Sequence, residues 1–365
     1  MRKGPVESPL PAALPMPGTA RNPVPRRLEN SGAGIDRKEG SEVSKSAFPE
    51  MSVVIVADRY DTIRKTVRHL RAQTVRDRLE IVIVAPSKDA LDLEGHELQN
   101  FFQVRVIEVG DIQSLPRARV PGVREASAPL VAFVESHSYP APRWAEALIK
   151  VHQQPCAVVG PAMANANPAS SMSWAGFLLD YGPWADPSSG GPIEHLPGHN
   201  SSYKRAILLE YGDDLEAMLE AESVLHWDLK SRGHDLYLEP AAMMLHLNVS
   251  LPLSWIVERF YAGRQFGAAR ARGWPMPRRL LYIGGTPVIL PARLRRILRQ
   301  IGHCGWSRDL LPGVLPALIS GLILTAVGQM FGYAFGPGAA QERLCHIELH
   351  KVLHIAKRER PAYIA

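Results

Sequence analysis

Cysteine is nearly absent from this sequence. Cys156, Cys304 and Cys345 are the only three in 365 residues, far apart and without the paired spacing of a thiolate metal site. That excludes a disulfide-framed domain and fits a reducing compartment. No apolar run follows Arg2 and Lys3, so the sequence predicts no secretory signal and a cytoplasmic location. Acid is missing from residues 278 to 308, where seven arginines exceed the net charge of +6 carried by the whole chain. Those arginines are not interleaved with stacking aromatics, so nucleic acid is excluded as a partner. Charge of either sign is missing from Leu310 to Ala340. That run is long enough to span a bilayer.

What is present is globular in composition, with 46% hydrophobic and 21% charged residues. Residues 1–48 are an exception: prolines and a polar run without helix or strand period predict a disordered tail. Order begins with a short β-branched strand, Ser52 to Ala57. A helix follows, with Ile63, Val67 and Leu70 on one face and Asp61 as its N-cap, and then a second strand, Leu79 to Ala85. Strand, helix and strand in about 35 residues make a βαβ unit and imply a parallel sheet. Further strands are expected at 102–109, 129–135 and 156–163, with helices at 117–128 and 143–153. An open sheet of this kind binds ligands beyond the carboxyl ends of its strands.

Residues 165–198 read as loop and 217–233 as one helix, with a strand after it. A helix over 254–274 and an arginine-rich helix near 280–300 lead into the uncharged run. Basic flanks on both sides of that run favour a re-entrant or monotopic membrane element over a single crossing. The chain therefore divides into the tail, an α/β region over 50–275, and a basic, apolar, interfacial or transmembrane region over 276–365.

The stretch "LVAFVESHSYPAPRW" carries the chemistry. An apolar strand, Leu130 to Val134, runs into Glu135-Ser136-His137, an acid-x-ligand triplet at a strand end. A carboxylate and an imidazole both ligate divalent cations, the imidazole favouring Mn²⁺ over Mg²⁺. Together with "SVVIVADRYDTIRKTVRHLRAQTVRDRLEIVIV", "ARVPGVREASAPLVAFVESHSYPAPRWAEAL", "LPGHNSSYKRAIL" and "EAESVLHWDLKSRGHDLYLEPAAMMLH", it resembles family 2 glycosyltransferases, the inverting enzymes of GT-A fold. The four blocks keep their order and spacing from about Ser52 to His246.

The resemblance implies a GT-A mixed α/β sheet flanked by helices, followed by the apolar, membrane-associated helical segment. It also implies site residues. Ala57, Asp58 and Tyr60, with Ala85, would cradle the nucleotide base, although Ala85-Pro86 replaces the usual aspartate. Arg119 falls at the arginine of the donor-binding block, with Val120 in place of its asparagine partner. Glu135 and His137 would hold Mn²⁺ or Mg²⁺ against the diphosphate where the family usually has two aspartates. Glu222 falls on the catalytic carboxylate, with Ala221 in place of its acidic neighbour. His246 would lie near the diphosphate, and His199 and Asn200 on the acceptor side. The expected activity is inverting transfer of a sugar from a nucleotide-diphosphate donor to a lipid-linked or envelope-glycan acceptor, at the cytoplasmic face of a membrane. The substituted triplet leaves a second reading open: a weak or inactive GT-A module that binds nucleotide sugar or glycan, or scaffolds a membrane partner.

Overall fold

Six consecutive buried residues, Met51–Val56, form strand β1 at the middle of the sheet. β-branched residues dominate it because both of its faces are covered, and its one polar residue, Ser52, donates its hydroxyl to Glu80. The computed structural model describes residues 47–91, 95–303 and 311–364. The proline-rich tail to residue 46, Cys304 and Arg308 lie outside the described residues.

Helix α1 (Tyr60–Arg71) and strand β2 (Leu79–Ala85) complete the first βαβ unit. The short α2 (Lys88–Leu91), β3 (Gln103–Glu108), α3 (Leu115–Glu125) and β4 (Leu130–Phe133) complete the parallel part. Asp61 does not cap α1. The helix starts one residue earlier behind Arg59, whose guanidinium pairs with Asp61 at 3.3 Å in the first turn. β5 (Ser138–Pro140), α4 (Trp144–Val151), β6 (Cys156–Asn165), α5 (Ser171–Asp180), β7 (Gly191–Ile193) and β8 (Ser202–Lys204) follow. Next come α6 (Arg205–Leu209), α7 (Leu215–Leu219), α8 (Glu222–Ser231) and β9 (Asp235–His246).

The sheet order is β3-β2-β1-β4-β8-β6-β9-β5, with β7 on β9. β1 is parallel to both β2 and β4, whereas β8 is antiparallel to both β4 and β6. The mixed sheet thus reverses its winding between β1 and β4. The cavity of this fold opens beyond the end of β4, at Glu135.

Two expectations fail locally. Residues 165–198 are not all loop: α5 lies inside them, capped by Ser170, and packs Ala175 and Phe177 inward. The helix expected over 217–233 is split between α7 and α8, because Ala221 is extended (φ −148°, ψ 98°) and α8 starts afresh at Glu222. Propensity alone conceals that break.

The C-terminal part is α9 (Pro252–Arg270), α10 (Met276–His303), α11 (Leu311–Phe335), α12 (Ala340–Leu349) and α13 (Pro361–Ile364). The described residues form one packed unit. The described residues contain one helix segment, Pro312–Phe335, long and apolar enough to cross a membrane. It lies along α9 through facing glycines: Gly263 and Gly267 meet the backbone of Thr325 and Gln329, and Gly328 and Gly332 meet Phe260 and Arg264. A Cβ at Gly328 would lie 2.0 Å from the Phe260 carbonyl oxygen. Gly328→Ala must push the two helices apart, an overpacking cost of about 1–3 kcal/mol. We expect a Tm lower by several degrees in calorimetry; an unchanged Tm would contradict the seam.

Facing outward from α11 are Ile319, Ile323, Val327, Phe331 and Phe335, one residue in four. On α10, Leu280, Leu281, Val288 and Ile289 are likewise exposed.

Candidate active site

Glu135 follows β4 and is buried, so its charge must be met by partners. Asn200 Nδ2 donates to its Oε2 at 2.7 Å, Tyr181 donates its hydroxyl to the same oxygen at 3.1 Å, and His199 Nδ1 lies 3.1 Å from Oε1. Burial opposes the ionised form, but His199, His246 and His137 outweigh it and hold the carboxyl well below the usual carboxylate range. The turn at 198–200 thus acts on the acid of the triplet, and Asn200 supports it directly.

His137 and His246 meet beside that carboxylate. Their Nε2 atoms are 3.1 Å apart, and His246 Nε2 is 3.3 Å from Glu135 Oε2. β5 pairs with β9 and sets Ser138 opposite His246, which brings the two histidines together. The other nitrogen of His246 lies 2.9 Å from Asn248 Oδ1, which accepts only from an N–H. In the neutral ring that leaves Nε2, which points at His137 and Glu135, as the nitrogen able to ligate a cation. Donors bound at about 2.1 Å to one octahedral ion are about 3 Å apart. Two of the three donor pairs, His137 with His246 at 3.1 Å and His246 with Glu135 at 3.3 Å, fit that requirement. These are also the three residues whose ligating atoms all lie within 4.8 Å of one another. Glu135, His137 and His246 can hold a divalent cation.

Glu222 stands on the opposite side of His199, in contact with its Nε2, and 3.5 Å from Arg119 Nη1. Starting α8 afresh puts Glu222 in its first turn. Glycine is required at position 198, because a Cβ there would fall 2.2 Å from the Glu222 side chain. Arg119 is buried over the Phe133 ring at 5.4 Å; desolvation holds its pKa below the ordinary arginine value.

A cavity of about 630 Å³ unites Arg119, Glu135, Gly198, His199, Glu222 and His246. Ala57, Tyr60 and Ala85 do not line it and are buried in the fold. Asp58 meets His350 Nε2 at 2.7 Å. α12 runs across this end of the sheet, where Cys345 Sγ donates to the Ile112 carbonyl at 3.5 Å.

Sequence reasoning missed the residues that α12 and its continuation bring. Glu348 Oε2 lies 3.2 Å from His137 Nε2, and buried Lys351 bridges Glu348 at 2.7 Å and Glu258 at 2.9 Å. Lys351 holds Glu348 far below the usual carboxylate range. The only trace of this in the sequence is an acid and a base three apart in a helix, which is usually a solvated pair. Asp228 lies away from the site, 2.7 Å from Arg232 and hydrogen-bonded to Tyr211.

His226 supports the site from below. It accepts from Leu196 N through Nδ1 at 3.3 Å, and its Nε2 lies 2.9 Å from the Tyr203 hydroxyl. A proton on Nδ1 would face a donor, and burial above all pushes the pKa down to about 3. An unfolded histidine titrates near about 6.5. Below that pH the unfolded chain gains a proton that the native state refuses. This group's contribution is therefore complete above about pH 6.5 and falls by about 1.4 kcal/mol per pH unit toward pH 3. Denaturant midpoints at pH 7 and 5 check this; the slope should flatten in His226→Gln.

Comparison with known proteins places residues 52–212 under the family model "Glycosyl transferase family 2". The chain is 33% identical over 103 residues to polypeptide N-acetylgalactosaminyltransferase 4 of Caenorhabditis elegans. That match takes in 28% of this chain and only 17% of the relative. Among solved structures, the chain is similar to the mannosyltransferase PcManGT of Pyrobaculum calidifontis in complex with GDP-Man and Mn²⁺. Identity is 15%, the TM-score is 0.47, and the match covers 80% of this chain and 91% of that one. It is also similar to GalNAc-T7 with UDP, GalNAc and Mn²⁺, at 16% identity and TM-score 0.40, over 55% of this chain and 44% of that one.

Proposed function

This chain carries a glycosyl transferase family 2 domain of GT-A fold, and from that premise we propose that it is a metal-dependent, inverting glycosyltransferase. It moves a sugar from a nucleotide-diphosphate donor to a lipid-linked or glycan acceptor. The observation that carries the proposal is the convergence of Glu135, His137 and His246, of which Glu135 and His246 line one cavity with Glu222.

In this reading Glu135, His137 and His246 hold Mn²⁺ or Mg²⁺, and the mixed donor set favours Mn²⁺. When bound, the cation neutralises charge that builds on the departing diphosphate. Arg119 supplies a further positive charge beside the donor. Glu222 takes the proton of the acceptor hydroxyl as its oxygen bonds to the anomeric carbon. The bond from that carbon to the diphosphate oxygen breaks on the opposite face, and its electron pair leaves with the nucleoside diphosphate. His199 touches both Glu135 and Glu222 and sets the spacing between cation and base. Ala57, Asp58, Tyr60 and Ala85 remain the proposed frame of the base, with Asp58 paired to His350 just beyond α12.

We place the enzyme on the cytoplasmic face of a membrane. Support comes from the outward apolar stripe of α11 and from α10, whose exposed apolar residues Leu280, Leu281, Val288 and Ile289 lie between arginines at both ends of the helix. α9 carries the buried charges Glu258 and Arg259 where it packs beside α11. That favours a monotopic element lying along the domain over one that crosses.

Release of nucleoside diphosphate from UDP- and GDP-sugars, with Mn²⁺ and with chelator, tests the reading. Metal-dependent release supports it. Binding of neither nucleotide under any condition would instead favour the non-catalytic module.

A further inference from the structure

Arg293 and Arg296, on α10, line the same cavity as Glu222. Among the described residues neither has an ion-pair partner within 4 Å; the nearby Asp180 is bound at 2.7 Å through both oxygens to Arg259. Burial and the like charge of Arg296 hold Arg293 below the ordinary arginine value. Arg270 adds a third guanidinium to the lining, held over the rings of Trp227, Trp274 and Tyr282 at 5.4, 5.7 and 4.8 Å. A half-buried guanidinium such as Arg293, without a carboxylate and beside a like charge, is unfavourable unless an anion meets it, and guanidinium forks match phosphate oxygens two at a time.

Ile289 connects this cationic region to the outside. It lines the cavity and is also 46% exposed, beside Val288 at 77%. Leu281, Val288 and Ala292 continue one outward face of α10, which then turns to Arg295 and Arg296. The apolar half suits acyl or prenyl chains and the arginine half suits headgroups.

We infer that Arg293 and Arg296, with Arg270, form a subsite for an anionic lipid acceptor: a lipid-borne sugar whose phosphate link rests on these arginines, whose chain leaves past Ile289 and Val288, and whose hydroxyl reaches Glu222. The inference rests on the transferase reading and names its acceptor class. Both halves of the ligand are needed. A free sugar would leave the guanidiniums unmet, and a soluble phosphate would leave the apolar face uncovered.

The probe is farnesyl diphosphate, compared by calorimetry with farnesol and inorganic pyrophosphate. The full chain is kept in mild detergent with UDP or GDP and Mn²⁺, so that the donor's diphosphate position is filled. We expect farnesyl diphosphate to bind about tenfold or more tightly than either control. Arg293→Gln with Arg296→Gln should remove that preference and leave nucleotide affinity unchanged. Arg296→Glu, at an exposed residue that cannot compromise the core, should weaken the probe at least as much. Equal binding of pyrophosphate would overturn the lipid assignment, as would equal binding of farnesol. A parallel loss of nucleotide affinity in the variants would reassign the arginines to the donor and overturn it too. If the wild-type chain binds neither UDP nor GDP, the transferase reading fails on its own, because the farnesyl comparison is read separately.

Discussion

Glu222→Gln should bind nucleotide and Mn²⁺ as the wild type does and turn over about 10²- to 10⁴-fold more slowly. Glutamine keeps the volume against Gly198 and can still hydrogen-bond His199, so the fold and the donor side are preserved. What it loses is the ability to accept the acceptor's proton. A purely structural Glu222 would give the opposite pattern: a lower Tm, weaker nucleotide binding and a modest change in rate. The contact with Arg119 sharpens the distinction. Arg119→Lys should raise the donor KM more than it lowers kcat, because the lysine loses the planar fork but keeps the charge. Steady-state kinetics beside calorimetry separate these outcomes.

His246→Ala should weaken Mn²⁺ binding by more than about 100-fold, since loss of an outer-shell partner alone costs about 10- to 100-fold and His246 is proposed as a ligand. Metal-dependent activity should fall with it. Asn248→Ala should act in the same direction but less, through loss of the acceptor that fixes the His246 tautomer at 2.9 Å. Glu348→Gln is the informative control. Of the three proposed ligands its carboxylate meets only His137, its other oxygen pairing with Lys351, so it should change metal affinity less than either histidine does. If Glu348→Gln weakened binding as strongly as His246→Ala, the ligand set would have to include α12.

Much of this site was legible in the sequence because it sits at strand ends. β1, β2 and β4 announce themselves as short buried β-branched runs, and the residue that ends such a run must face the crevice. Glu135 and His137 were found that way, and Glu222 by its place in a block of matching spacing. The role of His246 was less readable. The sequence put it near the diphosphate, and only the antiparallel pairing of β5 with β9 shows that its ring meets His137. Non-local pairing of this kind leaves no periodic trace. The break at Ala221 was hidden for a related reason: residues on both sides favour helix, and the extended Ala221 is dictated by packing. Glu348 and Lys351 were invisible because they come from the far end of the chain. A buried acid–base pair in a helix has the same spacing as an exposed one.

The most direct test is the Mn²⁺ electron paramagnetic resonance of the purified full chain, read for nitrogen couplings. The proposal predicts two imidazole nitrogens on the bound ion, one lost in His137→Ala and another in His246→Ala, with Glu135→Gln weakening binding overall. An aqueous Mn²⁺ spectrum unchanged by the protein, or one without nitrogen coupling, would contradict the metal site and the metal-dependent transfer built on it.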